Sequence, residues 1–190
     1  GPLDLLTYLF RHVHDVKDFK DLPTPFVCIA TDIETGEEKV FRSGFLPQVV
    51  LASGAYPSMI KPVKIDDRLY VDGGVLNNFP VKEVKEMGAD IIIGVDLQDP
   101  LKKQDDLNSA TDVLMQIIKF NMEKRADEQR KLVDLMIVPD VEGYNVASFD
   151  QIQPILQKGT EAAEKQFDQL IEIAKIQHEE NNIRPSLDLK

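Results

Sequence analysis

The chain has 190 residues, of which 43% are hydrophobic, and it carries a formal net charge of −11. This length and apolar content suffice for one domain with a sizeable core. No apolar run approaches the roughly 18 residues that a membrane-spanning helix needs. The negative charge argues against a nucleic-acid-binding protein and against simple electrostatic attraction to anionic membranes.

The first part of the chain predicts mixed α and β structure. An amphipathic helix begins with Leu3 to Phe10, and two strands follow at Phe26 to Thr31 and Lys39 to Arg42. The four residues from Glu34 to Glu37 include a glycine and join these strands as a hairpin. A short helix is predicted within Gly44 to Ala55.

An irregular apolar segment lies between Pro57 and Pro62. It is compatible with the lining of an apolar cleft and equally with a loop packed across a sheet edge. Tyr56, Met59 and Ile60 are expected to be core residues in either case.

The stretch LYVDGGVLNNFPVKEVKEMGADIIIGVDL is the most informative part of the sequence. Arg68 to Val71 reads as a strand, and Gly73 and Gly74 then allow a sharp turn or a positive φ beside the Asp72 carboxylate. A carboxylate at such a strand end is well placed for chemistry, but the structural alternative is an aspartate that only caps the turn.

A helix and a strand follow that turn. Asn78 is a plausible cap, Pro80 suits the first helical turn, and Gly88 is placed to end the helix. Ile91 to Val95 is apolar throughout, which is typical of a strand buried on both faces of a parallel sheet.

The last third of the chain is predicted to be mainly helical. Ser109 and Asp112 form a weak capping box for a long helix, and a second amphipathic helix runs from Ile152 to about Ile176. A short strand at Leu135 to Val138 lies between them. The long helix is expected to pack through apolar residues at helical spacing. They are Val113, Leu114, Ile117, Ile118 and Met122.

Three long stretches together resemble the patatin-like phospholipase family. They are DLPTPFVCIATDIETGEEKVF (21–41), VVLASGAYPSMIKPVKIDDRLYVDGG (49–74) and LNNFPVKEVKEMGADIIIGVDL (76–97). In order and spacing the resemblance covers roughly residues 20 to 100. In this family, D-G-G or D-G-A carries the aspartate of a Ser-Asp catalytic dyad. The resemblance implies that Asp72 is a catalytic base and that Gly73 and Gly74 only shape its approach.

The family's nucleophile motif, G-x-S-x-G, does not occur in this sequence. None of its serines has glycine both two residues before it and two residues after it. Ser53, in Ala-Ser-Gly-Ala, falls where the family has a helix end. We therefore expect the serine to lie outside this chain, and the chain to be the second half of a patatin-like domain. The implied fold is a three-layer α/β/α arrangement with a largely parallel sheet, incomplete at its N-terminal side. Residues 1–176 would form this part of the domain, and the polar residues 177–190 a linker leading out of it.

The implied parent protein is a lipid acyl hydrolase whose substrate is a lipid ester. Contact with membranes would come through the parent protein, and the chain alone is expected to be inactive and to self-associate. The dyad requires no metal or cofactor, and no acidic loop has calcium-site spacing. The alternative function is a non-catalytic interaction or scaffold domain. It would be favoured if the parent protein had no G-x-S-x-G upstream.

Two further candidates have ordinary structural explanations. His12 and His14, followed by an aspartate, could bind a metal, but residues two apart on a helix point to different faces. Cys28 lies in an apolar strand and is expected to be a buried thiol.

Overall fold

The computed structural model describes residues 1–97, 101–145 and 148–183. Within these residues the chain forms six α-helices and six β-strands. The helices are α1 (Pro2–Leu9), α2 (Leu46–Ser53), α3 (Val81–Glu86), α4 (Ala110–Arg130), α5 (Ile152–Glu164) and α6 (Phe167–Ile183). The strands are β1 (Cys28–Asp32), β2 (Glu37–Phe41), β3 (Val63–Ile65), β4 (Arg68–Asp72), β5 (Ile93–Val95) and β6 (Leu135–Ile137). The mixed α/β class is as predicted.

The chain divides into two compact units. The first is formed by Gly1–Ile92 and Leu101–Val133, and the second by Ile93–Pro100 and Asp134–Lys190. The described residues contain no helix that is long and apolar enough to cross a bilayer. The three-layer arrangement and the boundary at residue 176 remain predictions.

The first unit is built around a four-stranded sheet in the order β2-β1-β4-β3. All neighbouring strands are antiparallel, with Cys28 opposite Phe41 and Ala30 opposite Asp72. Helix α2 and the segment before β1 cover this sheet through a common apolar cluster. Its buried members are Val13, Phe19, Cys28, Ala30, Phe41, Leu46, Val49, Ala52 and Tyr70.

The predicted largely parallel sheet is not what this unit shows, and the short connections explain why. The β1–β2 turn is closed by the Gly36 N–H, which donates to the Asp32 carbonyl, and Gly36 has a φ of 69°. Strands β3 and β4 are joined by Asp66 and Asp67 alone, both with positive φ. Tight turns of this kind can only join antiparallel strands, whereas parallel pairs need a long crossover. The hairpin prediction is confirmed, but β3 was not predicted.

The second unit holds the parallel pair in the described structure, β5 and β6, with Ile93 opposite Leu135. Strand β5 is shorter than predicted and is not buried on both faces. Ile93 and Val95 are 43% and 52% exposed, and only Gly94 between them is buried. Since successive residues of a strand point to opposite faces, just one face of β5 is covered.

The helix predicted over 152–176 is two helices in the structure. Helix α5 ends at Glu164 and α6 begins at Phe167. Helix α6 continues to Ile183, through the first residues of the predicted linker, and residues 184–190 lie outside the described residues.

Helix α4 begins as predicted but packs through a different face. The Ser109 side chain accepts a hydrogen bond from the Asp112 N–H (3.1 Å) and caps the helix. The residues it buries are Gln116, Ala126 and Gln129. Three members of the predicted packing stripe are instead about half exposed: Val113, Leu114 and Ile117. Buried glutamine side chains that bond to nearby backbone groups, described below, explain why the polar stripe faces inward.

The segment after α2 is a turn. The N–H groups of Met59 and Ile60 both donate to the Tyr56 carbonyl, and Ser58 has a φ of 72°. Met59 is 47% exposed, so its predicted place in the core is wrong.

Candidate functional site

Asp72 is the last residue of β4, and its backbone is fixed on both sides. Its N–H donates to the Ala55 carbonyl (3.1 Å), and its carbonyl accepts from the buried Thr31 hydroxyl (3.0 Å). It also pairs with Ala30 in the β1–β4 ladder. The direction of the Asp72 side chain is therefore set by the sheet, which is more rigid than a loop.

The two glycines after Asp72 are required for space. A Cβ on Gly73 would lie 2.2 Å from the Ile29 carbonyl oxygen, a backbone atom that cannot move aside. A Cβ on Gly74 would lie 2.6 Å from Asn78 Oδ1 and 3.0 Å from Asp72 Oδ1. Neither glycine has a positive φ. Of the two reasons the sequence offered, the sharp turn is confirmed and the positive φ is wrong.

The two oxygens of the Asp72 carboxylate have different surroundings. Oδ1 accepts the Gly74 N–H at 2.7 Å, so Asp72 does cap the turn. No donor in the described part of the chain reaches Oδ2. Burial raises the pKa of Asp72, and the Gly74 N–H opposes this effect. One oxygen thus fixes the orientation of the group, and the other remains able to accept a proton.

Helix α4, which comes late in the sequence of the first unit, contacts the segment just after the Asp72 turn. The Arg125 side chain donates to the Leu76 carbonyl at 3.1 Å. A surface cavity of about 370 Å³ lies beside this contact. Its lining residues are Leu76, Asn121, Lys124, Arg125 and Glu128. The sequence patterns did not predict this contribution of α4.

The other sequence candidates do not join this site. Cys28 is buried, and burial raises its pKa to about 12, so it is an unreactive thiol. Ser53 is the final residue of α2, as predicted. His12 and His14 hydrogen-bond to backbone carbonyls within their own turns. The described residues include no cluster of three metal-binding side chains.

Comparison with known proteins relates part of this chain to one family. Residues 4–85 match the family model for patatin-like phospholipase. An uncharacterized NTE family protein of Mycobacterium tuberculosis is 37% identical over 78 residues, which is 41% of this chain and 22% of that protein. Another from the same organism is 29% identical over 166 residues, covering 75% of this chain and 28% of its own length.

A more distant relative carries a named activity. The lysophospholipase NTE1 of Meyerozyma guilliermondii is 21% identical over 175 residues, covering 79% of this chain and 12% of that protein. The matched part of the present chain, which contains Asp72, is thus similar to the patatin-like phospholipase family, a family of lipid hydrolases. The chain spans less than a third of the length of the mycobacterial relatives that it matches.

Proposed function

We propose that this chain is part of a serine acyl hydrolase acting on lipid esters, and that Asp72 is its general base. The observation that carries the proposal is the Asp72 carboxylate, anchored through Oδ1 and open at Oδ2. The nucleophilic serine would be contributed by another part of the whole protein that contains this chain. The relatives are several times longer than the region they share with this chain, which is compatible with that arrangement.

The reaction would proceed in two stages, acylation and deacylation, and in each stage Oδ2 takes up a proton and returns it. Ionised Asp72 takes the proton of the serine hydroxyl as the serine oxygen attacks the ester carbonyl. The tetrahedral intermediate then collapses, the bond to the alcohol breaks, and Asp72 returns the proton to the departing oxygen. Water then attacks the acyl-serine and gives a proton to Asp72. The second tetrahedral intermediate collapses, the bond to the serine oxygen breaks, and Asp72 returns the proton to that oxygen, which releases the fatty acid and restores the serine.

The surroundings of Asp72 suit this role. A base must be ionised at the working pH and still have appreciable proton affinity, and partial burial raises that affinity. The Gly74 N–H keeps the carboxylate in one orientation. Activity should therefore fall on the acidic side as Asp72 becomes protonated.

The proposal is tested with a serine-reactive fluorophosphonate probe. The whole protein and this chain alone are each treated with the probe, both unmodified and with Asp72→Ala. We expect the whole protein to be labelled, Asp72→Ala to lose most of that labelling, and this chain alone to remain unlabelled. Asp67→Asn, which changes an exposed aspartate in the turn between β3 and β4 and tolerates its positive φ, serves as the control and should label normally.

Two results would contradict the proposal. If the whole protein is not labelled and hydrolyses no ester, the interaction or scaffold function takes precedence. If labelling is unaffected by Asp72→Ala, the family activity stands but Asp72 is not its base.

A further inference from the structure

Two buried amide side chains connect the Asp72 turn to α4. Asn77, just after the turn, and Gln129, near the end of α4, are only 6% and 7% exposed. Gln129 Nε2 donates to Asn77 Oδ1 at 3.1 Å, across 52 residues of sequence. Burying two amides is unfavourable unless their hydrogen bonds are made, so this pair has a stringent geometry.

The other hydrogen-bond partners of Asn77 and Gln129 fix the orientation of both amide groups. The Lys82 N–H, at the start of α3, donates to Gln129 Oε1 at 2.9 Å, and Asn77 Nδ2 donates to Glu38 Oε1 at 3.2 Å. A backbone N–H can only donate and an ionised carboxylate can only accept. Neither amide can therefore flip without placing two donors or two acceptors face to face.

The chain of bonds ends close to the catalytic carboxylate. The Asn77 N–H donates to the Gly73 carbonyl at 2.8 Å, which closes the turn. In the same turn, the Gly74 N–H donates to Asp72 Oδ1 at 2.7 Å. A displacement of Asn77 would thus be passed through Gly73 and Gly74 to Asp72.

We propose that Asn77 and Gln129 are positioning residues that orient the Asp72 carboxylate by fixing its turn against α4. The inference rests on the proposed function of Asp72 as the base. Misplacement of a reacting group by about 1 Å can reduce a rate by about 100-fold, so a hydrogen bond that acts on Asp72 through Gly73 and Gly74 is sufficient to affect catalysis.

The first test compares two buried glutamines of α4 in the whole protein, using hydrolysis of p-nitrophenyl butyrate. Gln116 is 8% exposed and bonds to the N–H and carbonyl of Lys102, away from the Asp72 turn. Gln129→Leu and Gln116→Leu each remove a buried amide from the same helix. We expect Gln129→Leu to lower kcat about 10-fold or more with little change in KM. Gln116→Leu should leave kcat within about twofold, although both variants lower the melting temperature.

The pH profile separates positioning from a general loss of folded protein. Loss of active protein would scale kcat/KM equally at every pH. A loosened turn holds the Gly74 N–H less well, and that N–H lowers the pKa of Asp72. The acidic limb of kcat/KM should therefore move to higher pH in Gln129→Leu and stay in place in Gln116→Leu.

The second test is a rescue. Asn77→Asp places a carboxylate against Glu38 and should lower kcat about as much as Gln129→Leu. Adding Glu38→Gln restores a donor opposite position 77, so the double variant should recover most of the lost kcat. Glu38→Gln alone keeps an acceptor for Asn77 but loses the ion pair with Arg125 (3.6 Å), so its kcat is the reference against which the double variant is compared.

The outcomes distinguish this inference from the proposed function. If Asp72→Ala retains hydrolysis, the base assignment fails, and the positioning role fails with it. If Asp72→Ala abolishes hydrolysis while Gln129→Leu behaves like Gln116→Leu, or Glu38→Gln fails to rescue Asn77→Asp, only the positioning role is overturned.

Discussion

At the scale of single residues, Asp72 is held where ionisation is disfavoured. Burial raises its pKa, so the folded chain binds that proton more tightly than the unfolded chain does. Below the pKa of the unfolded state the carboxyl is protonated in both states and its burial has no charge penalty. As the pH rises through the raised pKa, the group ionises in a partly buried place and stability is lost. The site thus lowers the stability of the fold at neutral pH.

The charge penalty at Asp72 predicts that Asp72→Asn stabilises the chain. The amide is uncharged and its Oδ1 still accepts the Gly74 N–H, so the variant should have a higher melting temperature at pH 7. The difference should shrink toward zero at pH 3, where Asp72 is protonated. Thermal unfolding followed by circular dichroism at both pH values checks this. Asp67→Asn, at an exposed position, is the control and should change little at either pH. A lower melting temperature for Asp72→Asn at pH 7 would contradict the prediction.

The sequence was sufficient to select Asp72 but not its partners. Its strand, its turn and the need for glycine are local, because Asp72 and both glycines are adjacent. The contacts that orient the turn come from Glu38 and Gln129, which are distant in sequence. A glutamine on a helix reads as a solvent-facing residue unless the packing of that helix is known. The position of the candidate residue in the sequence could therefore be predicted, but the contacts that surround it could not.

At the scale of elements, α4 is fixed at its start by a side-chain cap. The Ser109 hydroxyl accepts the Asp112 N–H and donates to the Asp112 carboxylate at 2.6 Å. The pKa of Asp112 is lowered to about 2. The largest cause is the hydrogen bond from the Lys102 ammonium, and the next is that from Ser109. The contribution of this ionised carboxylate to the stability of the fold is present above its ordinary pKa and is lost as the pH falls toward 2.

We predict that Ser109→Ala destabilises the first unit by about 1 kcal/mol, the usual value for loss of an N-cap. Urea unfolding at pH 7 measures the change. Thr111→Ala, at the next position but one in the same helix start, removes an exposed hydroxyl that does not cap it and should be neutral within about 0.5 kcal/mol. Equal effects of the two substitutions would show that the cap contributes nothing.

The elements also show where sequence patterns mislead. The hairpin of β1 and β2 was predictable because its turn residues are local, and so was the start of α4. The sheet direction was not, since the apolar run before Val95 is typical of parallel strands while tight turns join β1 to β2 and β3 to β4. Similarly, α4 has two stripes at helical spacing, one apolar and one containing Gln116 and Gln129. Hydrophobicity favoured the first, but hydrogen bonds to backbone selected the second.

At the scale of the whole molecule, the exposed side of α4 is unusually apolar. Val113, Leu114, Ile117 and Phe120 are 45%, 57%, 51% and 51% exposed. Contiguous apolar side chains of this kind are a common cause of association. The net charge of −11 opposes association at low ionic strength, because copies of the chain repel one another. Salt screens that repulsion, so apolar contact should dominate as the ionic strength rises.

We therefore predict that this chain alone self-associates, and more strongly at about 0.5 M than at about 0.05 M salt. Light scattering over a concentration series gives the average mass at each condition. The double variant Leu114→Gln, Ile117→Gln removes apolar surface from α4 and should lower that mass, whereas Glu128→Gln, on the same helix, should not. A monomer at every concentration and salt level would rule out self-association. A double variant that associates as strongly as the unmodified chain would show that another surface is responsible.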